Sequence, residues 1–263
     1  MDSTLNYLLF GWYPYLCVTV LIVGSILRFD KAQYSWRSQS SQFLRRKQML
    51  IGSNLFHMGV LVLVGGHVVG LLTPINVFDA VGISHSFKQH AALIVGGIAG
   101  IAAWIGCSML LHRRLFDARI RRSSHWTDIG VLMLLWLQLT VGIATTYWTI
   151  RHLDGSEMVL FMGWANGLLT FNPAAADLIV DTALVYKLHI VLGLTLFLIT
   201  PFSRLVHIWS IPLFYLFRPG YQIVRTKGSL KHPEPASLTQ GPVTAPPGYG
   251  GPAPDRAQAE SGQ

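Results

Sequence analysis

Long apolar runs alternate along this chain with short charged segments, and the length of the runs decides the class of fold. Residues 5–27, 49–72, 90–111, 126–148 and 183–209 are each predominantly apolar. An α-helix needs about 20 such residues to cross a hydrocarbon core of about 30 Å, so each run is long enough to span a membrane. Trp12, Tyr13 and Tyr15 lie near the start of the first run, where an interfacial aromatic belt would fall. The second closes on Thr73-Pro74, a helix stop. The third carries Gly96, Gly97, Gly100 and Gly106, small residues that let neighbouring helices approach closely in lipid. The pattern predicts an all-α membrane protein, a bundle of five transmembrane helices.

Charge sets the expected orientation. Residues 28–48 hold Arg28, Lys31, Arg37, Arg45, Arg46 and Lys47, and residues 112–125 hold Arg113, Arg114, Arg119, Arg121 and Arg122. Residues 149–182 instead carry Asp154, Glu157, Asp177 and Asp181 against Arg151, and basic residues return after the last run at Arg218, Arg225, Lys227 and Lys231. Because basic loops stay on the cytoplasmic side, the N-terminus is expected outside and the C-terminus in the cytoplasm. No basic segment or small-residue cleavage site precedes the first run, which is therefore expected to be a retained span. Residues 1–228 form the expected membrane domain. Residues 229–263 are expected to be a disordered cytoplasmic tail, rich in proline, glycine and alanine from Pro233 onward.

Composition narrows the function classes. At 51% hydrophobic and 12% charged, the chain is far from the roughly 25% charged of soluble domains. Its net charge of +8 is dispersed in patches between apolar runs, which argues for topology signals and against nucleic acid as a partner. Cys17 and Cys107 are the two cysteines, with no Cys-x-x-Cys spacing, so thiolate metal centres held by this chain alone and covalent haem attachment are excluded.

The candidate chemistry lies in four histidines within apolar runs, His57 and His67 in the second and His189 and His207 in the fifth. A polar group at such depth needs a partner or a metal. If the two runs cross in opposite directions, depth matches His67 with His189 and His57 with His207, two bis-imidazole sites of the kind that hold low-spin haem for electron transfer. The axial fit is imperfect. Ten helical residues separate one pair of ligands by about 15 Å and eighteen the other by about 27 Å, unless tilt or a break at Pro201 absorbs the difference. Gly59, Gly65, Gly66, Gly70 and Gly193 lie near the four ligands and would give a macrocycle side-chain-free surface. The competing reading is a set of hydrogen-bonded core residues or a proton relay. A transporter would also be expected to carry acidic groups in the middle of its spans, where this chain has none. His85 and His90 fall at the outer interface as candidates near a quinone head group. Arg204, a turn before His207, suits either a haem propionate or a topology signal.

At these residues the chain resembles a known family. Tyr34-Ser35-Trp36-Arg37, Ser53-Asn54-Leu55-Phe56-His57, Gly66-His67, Asp154-Gly155-Ser156-Glu157-Met158, Leu188-His189-Ile190-Val191-Leu192-Gly193 and residues 201–210, Pro-Phe-Ser-Arg-Leu-Val-His-Ile-Trp-Ser, are similar to the gamma subunit of membrane-bound respiratory nitrate reductase. The resemblance runs from about Tyr13 to about Arg225. It implies a di-haem cytochrome b of the bacterial inner membrane, with one b-type haem on His67 and His189 and the other on His57 and His207. It also implies quinol oxidation near the outer haem, with Lys88 and Gly66 as the quinol-binding candidates. The partners implied are an iron–sulfur (beta) subunit and a molybdenum catalytic (alpha) subunit. The remaining alternative is a related di-haem subunit that feeds a different reductase.

Overall fold

In the computed structural model, residues 3–32, 46–151, 153 and 155–210 are described. Among them every regular element is helical, and five helices are long and apolar enough to cross a membrane: Ser3–Ala32, Lys47–Leu72, His85–Phe116, Trp126–Thr149 and Leu184–Phe202. The domain boundary and tail expected from the sequence lie outside the described residues, as does most of the first basic loop.

The first span, α1 (Ser3–Ala32), contains a π-helical turn at Leu8–Trp12. The second, α2 (Arg46–His67), runs on through a π turn at Val68–Leu72. Two short helices, α3 (Ile75–Ala80) and α5 (Ala118–Ser123), flank α4 (His85–Phe116), which starts about a turn earlier than its apolar run because the Ser84 side chain caps it at the Phe87 amide. Helix α6 (Trp126–Thr149) matches its run. Then come α7 (Ser156–Leu169), a 3-10 segment Pro173–Ile179, and α8 (Leu184–Ile199).

Small residues set the packing order. A Cβ at Gly59 would lie 2.5 Å from the Ala99 carbonyl and 2.7 Å from the Ala103 amide, and one at Gly106 would lie 2.6 Å from the Gly52 carbonyl. These contacts fix α2 antiparallel against α4, with Gly59 serving the helix interface rather than a cofactor surface. Indole donors stitch α4 to α6, where Trp104 Nε1 reaches Thr140 Oγ1 at 3.0 Å and Trp136 Nε1 reaches Ser108 Oγ at 2.9 Å. Helix α6 packs on α8, and α8 runs parallel to α1, as the Tyr13–Thr195 hydroxyl pair and the Gly24–Pro201 contact show.

The segment read from sequence as an acidic loop is substantially structured. Helix α7 is too short to span a membrane, yet with the 3-10 segment it closes a core of Phe10, Trp164, Ala165, Ala175, Ala176 and Ile179. It also satisfies backbone groups at the π turns: Trp164 Nε1 donates to Phe10 O at 2.9 Å and Asn166 Nδ2 to Leu71 O at 3.0 Å. Elsewhere large apolar side chains such as Ile26, Met58, Ile94 and Ile98 point outward, as lipid contact requires.

Candidate functional site

The fifth span does not continue as one helix to Trp209. Helix α8 ends at Ile199, a 3-10 turn holds Thr200–Phe202 with Pro201 inside it, and Ser203 is extended at φ −121° and ψ 179° before a further 3-10 segment, Arg204–Ser210. Proline lacks the amide that would continue the ladder, so the chain turns there and His207 leaves the α8 axis. That bend removes the 27 Å projection. Helix α1 fixes the turned segment: Arg28 donates to the carbonyls of Pro201 and Ser203, each at 2.7 Å, and Trp209 Nε1 donates to Ser25 Oγ at 3.1 Å.

With that turn in place the histidines meet in the two pairs that depth predicts. The imidazole centroids of His67 and His189 are 6.1 Å apart, and those of His57 and His207 are 6.4 Å apart. Metal–imidazole nitrogen bonds are about 2.0–2.1 Å, so two opposed rings sharing one iron would have centroids about 6.3 Å apart. Both pairs fit that separation. A direct imidazole hydrogen bond would bring the nitrogens to about 3 Å, with correspondingly closer rings.

Ring orientation suits ligation. His57 Nδ1 donates to Ser53 O and His67 Nδ1 to Leu63 O, both at 2.7 Å, and His207 Nδ1 donates to Arg204 O. A carbonyl can only accept, so in each ring the proton sits on Nδ1 and Nε2 offers its lone pair, the tautomer a metal-bound histidine needs. His189 differs. Its Nδ1 is buried without a hydrogen-bond partner, its Nε2 is 3.4 Å from Gln138 Nε2, and the neighbouring Gln138 Oε1 is also without one. Unpaired buried polar atoms of this kind mark places where a further group belongs. Among the described residues no three His, Cys, Asp or Glu side chains converge on one point. The pairs therefore suit a metal that brings its own remaining ligands, as haem iron does.

The surfaces around the pairs refine the glycine expectation. Gly65, Gly66 and Gly70 have no atom within 4 Å of where a Cβ would sit, and Gly66 and Gly70 leave the surface of the second span beside His67 free of side chains, whereas Gly65 lies on the far side of the helix. Gly193 instead faces Gln138 Nε2 at 3.2 Å. A glycine not singled out from the sequence does more: a Cβ at Gly142 would stand 2.8 Å from His189 Cε1. Gly142 and Gln138, four residues apart on α6, form the cradle for that ring. The only sequence signal for it was the spacing of two unremarkable residues in an apolar run.

Lys88 Nζ lies 4.1 Å above the Phe78 ring and 3.6 Å from Met162 Sδ, so its contacts are with the region around α3 and α7 rather than with an imidazole pair. His85 Nε2 is 3.1 Å from Asp79 Oδ1, and His90 Nδ1 donates to Ser86 O at 2.7 Å; local partners account for both. Arg204 is 3.5 Å from Asp128 Oδ2, which is also 3.4 Å from Arg114. One carboxylate thus holds two guanidinium groups beside the His57–His207 pair.

Comparison with known proteins agrees with this architecture. The family model described as nitrate reductase gamma subunit matches residues 6–227. The chain is 45% identical over 223 residues to the respiratory nitrate reductase 1 gamma chain of Escherichia coli (strain K12), covering 85% of this chain and 98% of that protein. It is 43% identical to the respiratory nitrate reductase 2 gamma chain of the same organism, over 86% and 100% of the two chains. It is 40% identical to the nitrate reductase gamma chain of Bacillus subtilis (strain 168), over 84% and 98%. With the match running through all five spans and both histidine pairs, the chain belongs to the nitrate reductase gamma subunit family.

Proposed function

We propose that this chain is the membrane cytochrome b of a respiratory nitrate reductase, which oxidises quinol near the outer face and passes electrons through two b-type haems to a cytoplasmic iron–sulfur (beta) subunit. That subunit serves the molybdenum catalytic (alpha) subunit. The observation that carries the proposal is the pair of opposed imidazole couples between α2 and the α8 region, at centroid separations of 6.1 and 6.4 Å. His67 and His189 would hold the outer haem, and His57 and His207 the inner one. Held there by a histidine pair, each haem would supply a one-electron carrier suited to electron transfer rather than to oxygen chemistry.

The chain's own residues do the rest. The Ser53, Leu63 and Arg204 carbonyls hold three imidazoles in the ligating tautomer, while Gly142 and Gln138 seat the fourth. Gly66 offers a flat approach beside His67, and the Lys88 ammonium, kept near the surface by Phe78 and Met162, donates a hydrogen bond to a quinol oxygen. Quinol loses two protons outward and two electrons inward. Arginine-rich segments at the cytoplasmic end form the docking side for the partner subunits, in line with the positive-inside bias.

The test is rapid mixing of the intact complex with menadiol, following the b-type absorbance. Quinol-driven reduction of that band is expected, with a KM about tenfold higher in Lys88→Ala, the loss of about one hydrogen bond to a charged group. A b-type band that dithionite reduces and menadiol does not would overturn the proposal.

A further inference from the structure

Quinol oxidation releases protons as well as electrons, and the groups assigned above do not carry them away. Beyond the outer imidazole pair lies a line of hydroxyls. Gly142, against His189, has its carbonyl bonded by Thr145 Oγ1 at 2.7 Å, and one turn further Thr149 Oγ1 bonds Thr145 O at 3.1 Å. The Thr149 and Tyr186 hydroxyl oxygens are 2.9 Å apart. Tyr186 is buried on α8, three residues before His189, and its ring packs on Phe161 of α7, which places Glu157, one helical turn before Phe161, on the side of α7 that faces it.

Glu157 sits in the first turn of α7, close to the end of the membrane span where α6 finishes. The same helix presents Phe161 to the Tyr186 ring at a centroid distance of 5.0 Å and Met162 to Lys88 Nζ. Glu157 and Phe161, four residues apart, share the face of α7 toward Tyr186, while Met162, about 140° round the helix from Glu157, meets Lys88 on another. The entry to α7 is held close to α4. Gly155 has φ 84°, and a Cβ there would lie 3.0 Å from the His85 carbonyl, so glycine is required both by conformation and by space. The charged and titratable groups on the elements packed against α7 are Tyr186 on α8, Lys88 and His85 on α4 and Asp79 on α3, paired with His85, while Arg151, stacked over Tyr147, follows the end of α6.

We propose that Glu157, working with the Tyr186 and Thr149 hydroxyls, accepts the protons released by quinol and delivers them to the outer water. The proposal rests on the quinol-oxidising function above. In balance, both quinol O–H bonds break and quinol becomes quinone. Its two electrons leave one at a time for the haems and then the iron–sulfur acceptor. Its two protons pass singly to the carboxylate, which discharges each outward before accepting the next. The Tyr186 hydroxyl gives up its proton as it takes another, so it is unchanged after each transfer.

The experiment uses the intact complex with Glu157→Gln, Glu157→Asp and Tyr186→Phe, mixed with menadiol across a pH series. Glu157→Gln is expected to slow reduction of the b-type band about 10²-fold and to abolish the rise in rate with pH that accompanies deprotonation of a base. Glu157→Asp is expected to restore most of the rate with a pH profile, and Tyr186→Phe to slow reduction while keeping the profile. The dithionite-reduced spectrum should match the parent in all three. Parental rates and pH dependence in Glu157→Gln would overturn the relay, as would slowing accompanied by loss of haem absorbance that Asp does not rescue. A parent complex that menadiol fails to reduce would instead overturn the underlying function.

Discussion

Replacing Gly142 by alanine tests the cradle for the outer pair at one atom. The added Cβ would sit 2.8 Å from His189 Cε1, 3.3 Å from Nδ1 and 3.7 Å from Nε2. Carbon atoms rest about 3.5–4.0 Å apart, so the ring must retreat by about 0.7–1.2 Å. Helix α8 cannot simply back away, because the Tyr186–Thr149 and Tyr13–Thr195 hydroxyl pairs tie it to α6 and α1 at 2.9 Å each. The displacement therefore falls on the His189 side-chain torsions and disturbs a separation of 6.1 Å that suits a shared iron. Disturbing the support of a metal ligand costs about 10–100-fold in affinity, or about 1.4–2.8 kcal/mol. Titrating haem into the purified variant and following the low-spin spectrum should show the outer haem weakened by that factor, with the inner haem unaffected. Gly193→Ala, which meets only the mobile end of Gln138 at 3.2 Å, should have a smaller effect. Two haems bound with parental affinity in Gly142→Ala would refute the cradle.

Two further outcomes concern the frame. Gly106→Ala brings a methyl group against the Phe56 amide and the Gly52 carbonyl, backbone atoms that cannot rotate away, so α2 and α4 should be forced apart at a cost of about 1–3 kcal/mol, read as a lower thermal midpoint in detergent. Gly65→Ala, in open space, should leave that midpoint unchanged. Asp128→Asn leaves Arg114 and Arg204 facing each other without their shared carboxylate. At side-chain exposures of 12% and 19%, removing it should cost up to about 3–5 kcal/mol and shift the inner-haem spectrum before the outer one.

Much of this fold is legible in the sequence because lipid imposes a one-dimensional rule: each crossing must be apolar for about 20 residues. Five spans follow from five runs, and reversing direction at each loop is enough to pair His67 with His189 and His57 with His207. The rule is silent about elements that do not cross. Helix α7 looks like part of a polar loop because its 14 residues are too few to span, though it closes the core around Phe10 and Trp164. The rule also fails where a helix bends, so the separation of His189 and His207 depends on the extended Ser203 that Pro201 precedes. Glycines show a third limit. Gly59, Gly65 and Gly142 look alike as letters, but one packs against Ala99, one faces open space and one seats His189. Only the neighbouring helix distinguishes them.

The central claim is that each imidazole couple holds its own haem, and electron paramagnetic resonance of the oxidised complex tests it most directly. Two distinct low-spin signals are expected in the parent. His67→Ala or His189→Ala should delete one, and His57→Ala or His207→Ala the other. A single signal in the parent, or the same signal lost from both sets of variants, would contradict the account.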